Sequence, residues 1–230
     1  MTKKLLFFLY FFCQASLQIA FGQTDDTYIW QEVGFNYSGF KKWDLDATYR
    51  FDIKQYGSQF SRSNFTISAS RKFLKNFKVG LDYRFFTTYS DDIHRFRIRI
   101  QSDYKLNKKL STSWRTMLQH DIAYIDPDFL KQYKPEWVWR NKFDLEYTIN
   151  SKSQASIYVE PFISIYKHQS QVYRTRLGVQ YEYLFKRRHH FGLTYFYQLK
   201  FPLSQAQSVQ VFNTSYTFDL LKKKKKKKKK

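Results

Sequence analysis

The chain has one cysteine, Cys13, and is short of glycine and proline, with 7 and 4 in 230 residues. Cys13 lies inside the leader described below, without the small preceding residue that a lipoprotein attachment site requires. The mature chain is therefore expected to hold no disulfide, no cysteine-based metal site and no thiol nucleophile. No Pro-, Gly- or Ser-rich linker divides it, which makes one large domain the expected organisation. No Gly-rich phosphate loop and no zinc-ligand spacing occurs, so no cofactor or metal is implied. A mean hydropathy of -0.62 excludes a helical membrane protein of ordinary composition. Yet 21% of the residues are aromatic, with 19 Tyr and 24 Phe. The apolar residues must be interspersed, not massed.

Acidic residues are also scarce, 19 against 40 Lys and Arg, for a formal charge of +21. Nine of those charges are Lys222 to Lys230 and two are Lys3 and Lys4, which leaves +10 spread along the chain. A basic excess suits nucleic acid, an anionic lipid surface or anionic solutes. Nucleic acid is the poorest of the three, because the chain carries an export signal and lacks a recognition-helix or zinc-knuckle pattern.

That signal comes first. Lys3 and Lys4 are followed by an apolar run from Leu5 to Phe12 and by Ala20-Phe21-Gly22, small residues at the positions a signal peptidase reads. Cleavage before Gln23 is expected, with residues 1–22 removed. A membrane-anchoring helix needs about 20 continuous apolar residues, and Gln14, Ser16 and Gln18 interrupt this segment too early.

From Ile29 onward the pattern has period two. Trp43, Leu45, Ala47, Tyr49, Phe51 and Ile53 alternate with Asp44, Asp46, Thr48, Arg50 and Asp52. The same split separates Phe96, Ile98 and Ile100 from Arg95, Arg97 and Arg99, and Tyr173, Leu177 and Val179 from Arg174, Arg176 and Gln180. A helix would spread these charges around its surface. Such runs predict strands over Tyr28–Ser38, Lys42–Lys54, Phe60–Arg71, Phe77–Thr88, His94–Leu106, Leu110–Ile122, Glu136–Ile149, Ser153–Tyr166, Val172–Phe185, His190–Phe201 and Val209–Leu220. Most are longer than the five or six residues usual in soluble sheets and long enough to cross a bilayer at a tilt.

Connections alternate between short ones, around Gly39, Asn76, Asn107-Lys108, Asn150-Ser151 and Arg187-Arg188, and longer or more polar ones. Asn and Gly in the short set suit the left-handed backbone of tight turns. Short turns at one rim and longer loops at the other is the outer-membrane arrangement, with the short turns periplasmic. A β-sandwich or a lipocalin-like barrel shows the same alternation with its apolar face inward. Five or six apolar residues per strand, many aromatic, exceed what a barrel of about ten strands can enclose. The expected fold is an all-β, antiparallel, up-and-down transmembrane barrel over residues 23–221, monomeric and in a bacterial outer membrane. Outer-membrane lipid and, during biogenesis, the barrel-assembly machinery are its expected partners, and residues 222–230 are expected to be a disordered tail. Parity is a difficulty: both termini of such a barrel normally lie in the periplasm, so ten or twelve strands are expected where eleven runs are visible.

The leader, an early Trp30 strand, a Lys-rich turn before Trp43, Asp82-Tyr83-Arg84-Phe85 followed by His94-Arg95-Phe96-Arg97, Tyr104-Lys105-Leu106-Asn107-Lys108 and Arg140-Asn141-Lys142 together resemble the domain of unknown function 2490 family. That family groups outer-membrane β-barrels, mostly from Bacteroidota. The resemblance covers nearly the whole mature chain and implies fold and location. It brings no activity and no site residues, and the lysine tail is not part of it.

A site is to be sought on the polar face. Arg84, Arg95, Arg97, Arg99, Arg115, Arg140 and Lys142 outnumber Asp82, Asp103, Asp144 and Glu146 there. One reading is a salt-bridged plug of cross-strand pairs. The other is a positively biased channel or pocket, since rings of Arg and Lys favour anions. A lipid hydrolase would need a Ser–His pair with a third orienting group. Among His94, His120, His168, His189 and His190 the best placed is His120, beside Asp121 near a rim. No catalytic residue is assigned. An adhesion barrel would use the Ala123–Pro135 loop, with Tyr124, Phe129 and Tyr133.

Overall fold

The computed structural model describes residues 24–40, 42–54, 59–88, 92–124, 137–166, 169–201 and 208–221. The expected leader, the lysine tail and most of the 123–135 loop lie outside the described residues. Eleven strands form a closed barrel: β1 (Thr24–Tyr37), β2 (Trp43–Lys54), β3 (Gln59–Lys72), β4 (Phe77–Thr87), β5 (Asp92–Lys105), β6 (Leu110–Tyr124), β7 (Trp137–Thr148), β8 (Ser153–Tyr166), β9 (Gln169–Phe185), β10 (His189–Lys200) and β11 (Ser208–Asp219).

Each consecutive pair of strands is antiparallel, as an up-and-down meander requires. The closing pair differs. β1 runs parallel to β11, from Thr24 opposite Ser208 to Asn36 opposite Asp219. Eleven lies between the ten and twelve expected, and it is the even count that is corrected. With an odd number, the first and last strands point the same way, so the cylinder closes through a parallel seam. β1 therefore starts at the long-connection rim and β11 ends at the short-turn rim, so the outer ends of the first and last strands do not share one rim.

Sidedness follows the alternation. Leu81 is 60% exposed while its neighbour Asp82 is 4% exposed, and Phe96, Ile98 and Ile100 are exposed while Arg97 between them is buried. The polar phase of every strand points into the lumen and the apolar phase points out. A soluble barrel with a greasy interior, and a sandwich, are both excluded by this geometry.

The short turns all lie at one rim. Asn107 Oδ1 accepts hydrogen bonds from the backbone N–H of Lys109 and Leu110, both at 2.8 Å. Asn150 does the same for Lys152 at 2.8 Å and Ser153 at 3.0 Å. These asparagines work as side-chain acceptors in Asx turns. The left-handed positions belong to other residues: Lys42 at φ 68°, Lys186 at 47° and Arg187 at 63°.

Two lumen-facing glycines make room for larger neighbours on the next strand. Gly178 pairs with Tyr158 and Gly80 with Arg99, and a Cβ at either would meet that partner at 2.5 Å. Pro161 sits inside β8, where it cannot donate a ladder hydrogen bond. The β8–β9 register shifts just after it, between Phe162 and Ile163.

Candidate functional site: the lumen

The lumen has two unlike halves. Towards the long-connection rim it is filled. Trp30, Phe86, Tyr158, Phe162, Phe196, Val209 and Val211 are buried there, although all of them lie in the otherwise polar phase of strands carrying charged residues. Trp30 and Phe196 meet edge to face with centroids 5.1 Å apart, as aromatic quadrupoles prefer.

Guanidinium groups pack around these rings. Phe162, 1% exposed, has the Arg174, Arg140 and Arg176 guanidinium carbons at 4.1, 4.4 and 4.8 Å from its ring centre. Phe86 has Arg95 at 4.4 Å, Arg62 at 5.5 Å and Arg84 at 5.8 Å. Arg50 lies 3.9 Å over Trp30. Cation–π attraction lets such cations share an interior with aromatic rings, and their carboxylate partners complete the layer.

Those partners form a belt across six strands. Arg95 donates to both Asp121 oxygens at 2.6 and 2.5 Å, and Gln119 donates to Asp121 at 3.1 Å. Gln119 accepts from Arg140 at 3.2 Å, and Arg140 donates to Glu160 at 2.8 Å. Glu160 also faces Arg115 and Arg176, each at 3.8 Å, and Arg176 donates to Gln198 at 2.9 Å. A separate buried group centres on Asp52, 0% exposed, which accepts from Arg50 at 2.7 Å and Arg62 at 2.5 Å.

Towards the short-turn rim the lumen opens into a cavity of about 910 Å³. Its wall mixes Lys72, Lys75, Lys105, Arg115 and Lys142 with Asp103, Asp144, Glu146 and Glu182, among hydroxyls and amides. Lys142 pairs with Asp144 at 2.5 Å, Glu146 accepts from Ser111 at 3.2 Å, and Glu182 accepts from Gln154 at 2.7 Å.

The charged residues singled out in the sequence fall in separate neighbourhoods of the wall. Asp82 lies between Arg97 at 3.3 Å and Arg99 at 3.4 Å. Arg115 and Arg140 meet at Glu160, Arg95 pairs with Asp121, and Lys142 and Asp144 join the cavity wall. Arg84 donates to the Thr66 hydroxyl at 2.7 Å. Sequence reasoning placed Asp52, Arg174 and Arg176 on the polar face without assigning them to a site, took Asp121 as the companion of His120, and missed Glu160 and the rings Phe86 and Phe162. The available signal was a phase break: Phe86 follows Phe85, and Phe162 shares its face with Glu160.

The histidine candidates come apart. His120 and Asp121 are adjacent in β6 and so point to opposite sides of the wall. Asp121 turns inward to Arg95, while His120 stacks on Trp137 with centroids 4.3 Å apart. His189 and His190 separate in the same way, His189 meeting the Tyr216 hydroxyl at 2.7 Å and His190 the Asp219 carboxylate at 3.1 Å. His94 meets the Tyr83 hydroxyl at 2.8 Å, and His168 lies outside the described residues. Among the described residues no group of three His, Cys, Asp or Glu is placed to hold a metal ion.

Known proteins were compared with the chain at three levels. No curated protein matches it. Among solved structures, a KdgM porin in complex with disordered oligogalacturonate superimposes with a TM-score of 0.41 at 13% identity, over 74% of this chain and 88% of that one. A family profile described as Protein of unknown function (DUF2490) matches residues 27–209, and the chain belongs to that family.

Proposed function

We propose that this chain is a non-enzymatic, monomeric β-barrel of a bacterial outer membrane, whose lumen is a narrow passage for small anionic solutes. In this state its arginine–aromatic layer closes the long-connection end. The supporting observation is the combination of an apolar exterior with a guanidinium-rich interior.

The exterior argues for a bilayer. Large apolar side chains such as Leu81, Ile98, Phe143, Leu177, Leu193 and Phe212 are exposed on successive strands around the wall. Burying one such side chain is worth roughly 1.5–3 kcal/mol, and soluble monomers rarely expose apolar patches beyond a few hundred Å². Lipid removes that penalty all around the cylinder. Assembly by the outer-membrane barrel machinery follows from the same location.

The interior argues for anions. Glu160 is shared by three arginines, and Asp52 and Asp82 by two each. The hydrogen bonds of Arg84 and Arg174 go to hydroxyls of Thr66 and Tyr173. A filled half whose central carboxylates, Glu160, Asp52 and Asp82, are each divided among several guanidinium groups repels cations and admits anions.

The same layer favours a second reading, a purely structural barrel with a salt-bridged plug, because Phe162 and Glu160 are almost fully buried at its centre. Planar-bilayer recording separates the two. The passage reading expects small openings in the natural chain, larger ones in Phe162→Ala, and a reversal potential in a KCl gradient that favours chloride. Silence of both proteins over a wide voltage range removes it. A mature chain that is a soluble folded monomer without detergent removes the membrane reading.

A further inference from the structure

We propose that the short-turn rim is a basic collar that binds the phosphate headgroups of anionic phospholipid in the adjoining leaflet. The proposal rests on the membrane reading above. Its evidence lies in what the five short turns have in common, Lys75 among them also lining the mouth of the lumen cavity.

Each of those turns carries Lys or Arg, and none carries Asp or Glu. The exposed cations are Lys42 after β1, Lys75 after β3, Lys108 and Lys109 after β5, Lys152 after β7, and Lys186 and Arg187 after β9. The opposite connections are mixed in sequence, with Asp91, Asp126, Asp128 and Glu136 against Lys131, Lys134 and Lys167. A uniform sign confined to one rim is not explained by solubility, which either sign would serve at either end.

Apolar side chains stand beside the cations. Phe40, Leu74, Leu106 and Ile149 are exposed in the same turns, and Leu74 at 65% is the most exposed large apolar residue of the described chain. Arg71 lies 5.5 Å from the Trp43 ring centre and 5.4 Å from that of Phe73, and Lys186 lies 5.0 Å from that of Phe185. Greasy side chains within three residues of ammonium groups suit the boundary where hydrocarbon gives way to headgroups. There the apolar part enters the chains and the cation reaches a phosphate. An acidic protein would match the charge but leave Leu74 and Leu106 in water. Lipid satisfies both features at once, and basic residues near an anionic leaflet each add to its attraction.

The experiment measures lipid selectivity at the barrel wall. The full chain is reconstituted in phosphatidylcholine bilayers, and electron spin resonance compares the motionally restricted fractions of spin-labelled phosphatidylglycerol and phosphatidylcholine. Phosphatidylglycerol is expected to be preferred by about twofold or more at low salt, with the ratio falling towards one at about 0.5 M salt as the charges are screened. The variant Lys75→Gln, Lys108→Gln, Lys109→Gln, Lys152→Gln should lose most of the preference, and a chain ending at Leu221 should keep it. A ratio near one in the natural chain overturns the collar while leaving the membrane reading intact. So does a preference that vanishes only when residues 222–230 are removed. A chain that enters neither phosphatidylcholine nor phosphatidylglycerol bilayers overturns the membrane reading, and the collar with it.

Discussion

Gly178 stands directly across the β8–β9 ladder from Tyr158, and the tyrosine ring occupies the space where a side chain at 178 would begin. The ring is held by its neighbours, packing in the buried cluster with Trp30, Phe196, Val209 and Val211 and lying 4.1 Å from the Lys142 ammonium. Gly178→Ala should therefore destabilise the barrel by about 1–3 kcal/mol, the usual cost of overpacking. In a Tyr158→Ala background the same change should cost nothing. Urea unfolding in micelles, run as a double-mutant cycle, measures the coupling. Equal losses in both backgrounds would show that the two positions do not interact.

Glu160 is the hub of the filled half. Its side chain is 4% exposed and faces Arg140, Arg115 and Arg176. Glu160→Gln keeps the shape and removes the charge, leaving three guanidinium groups around a neutral amide. Breaking a buried ion pair from one side costs about 3–5 kcal/mol, and a loss of that order is expected in urea unfolding. A change below about 1 kcal/mol would mean that water or solute anions already neutralise the layer.

Phe162 separates three of the arginines that surround it. Truncation to Ala should lower stability by about 3–5 kcal/mol, typical for a buried phenylalanine. The cavity it leaves should also widen the closed half, so conductance and instability should rise together. Phe65 faces outward and is exposed, so Phe65→Ala is the control expected to leave conductance unchanged. Equal conductance in both variants would show that the lumen layer does not control passage.

The turn between β9 and β10 places two non-glycine residues, Lys186 and Arg187, at positive φ. Each L-residue held there costs about 1–2 kcal/mol, and Asn-Gly is the pair preferred where both central residues of a turn have positive φ. Replacing Lys186-Arg187 with Asn-Gly should raise stability by about 1 kcal/mol, seen as a higher urea midpoint. It should also weaken the preference for phosphatidylglycerol slightly, because two cations leave the collar. A lower midpoint would show that these cations make stabilising contacts worth more than the backbone relief.

Much of this architecture was legible in the chain because side-chain direction in a strand is a local property. Residues i and i+2 share a face whatever the partners are, so the apolar and polar faces, the positions of the strands and the alternation of short and long connections could be read directly. What the alternation could not rank was which polar residues meet. Arg140 finds Glu160 on β8, and Arg95 finds Asp121 on β6, because the inter-strand registers bring them within reach. The phase-breaking rings Phe86 and Phe162 read locally as irregularities, and only the enclosed lumen shows that they fill it.

Sequence alone thus determined that this protein is a barrel wall with one greasy and one charged face, since alternation and turn chemistry act over a few neighbouring residues. Tertiary structure decided two things that depend on the whole circumference. The wall closes with eleven strands through a parallel β1–β11 seam, because closure is a condition on the first and last strands together. The lumen is filled in one half and open in the other, because large side chains from six or more strands converge at the same height.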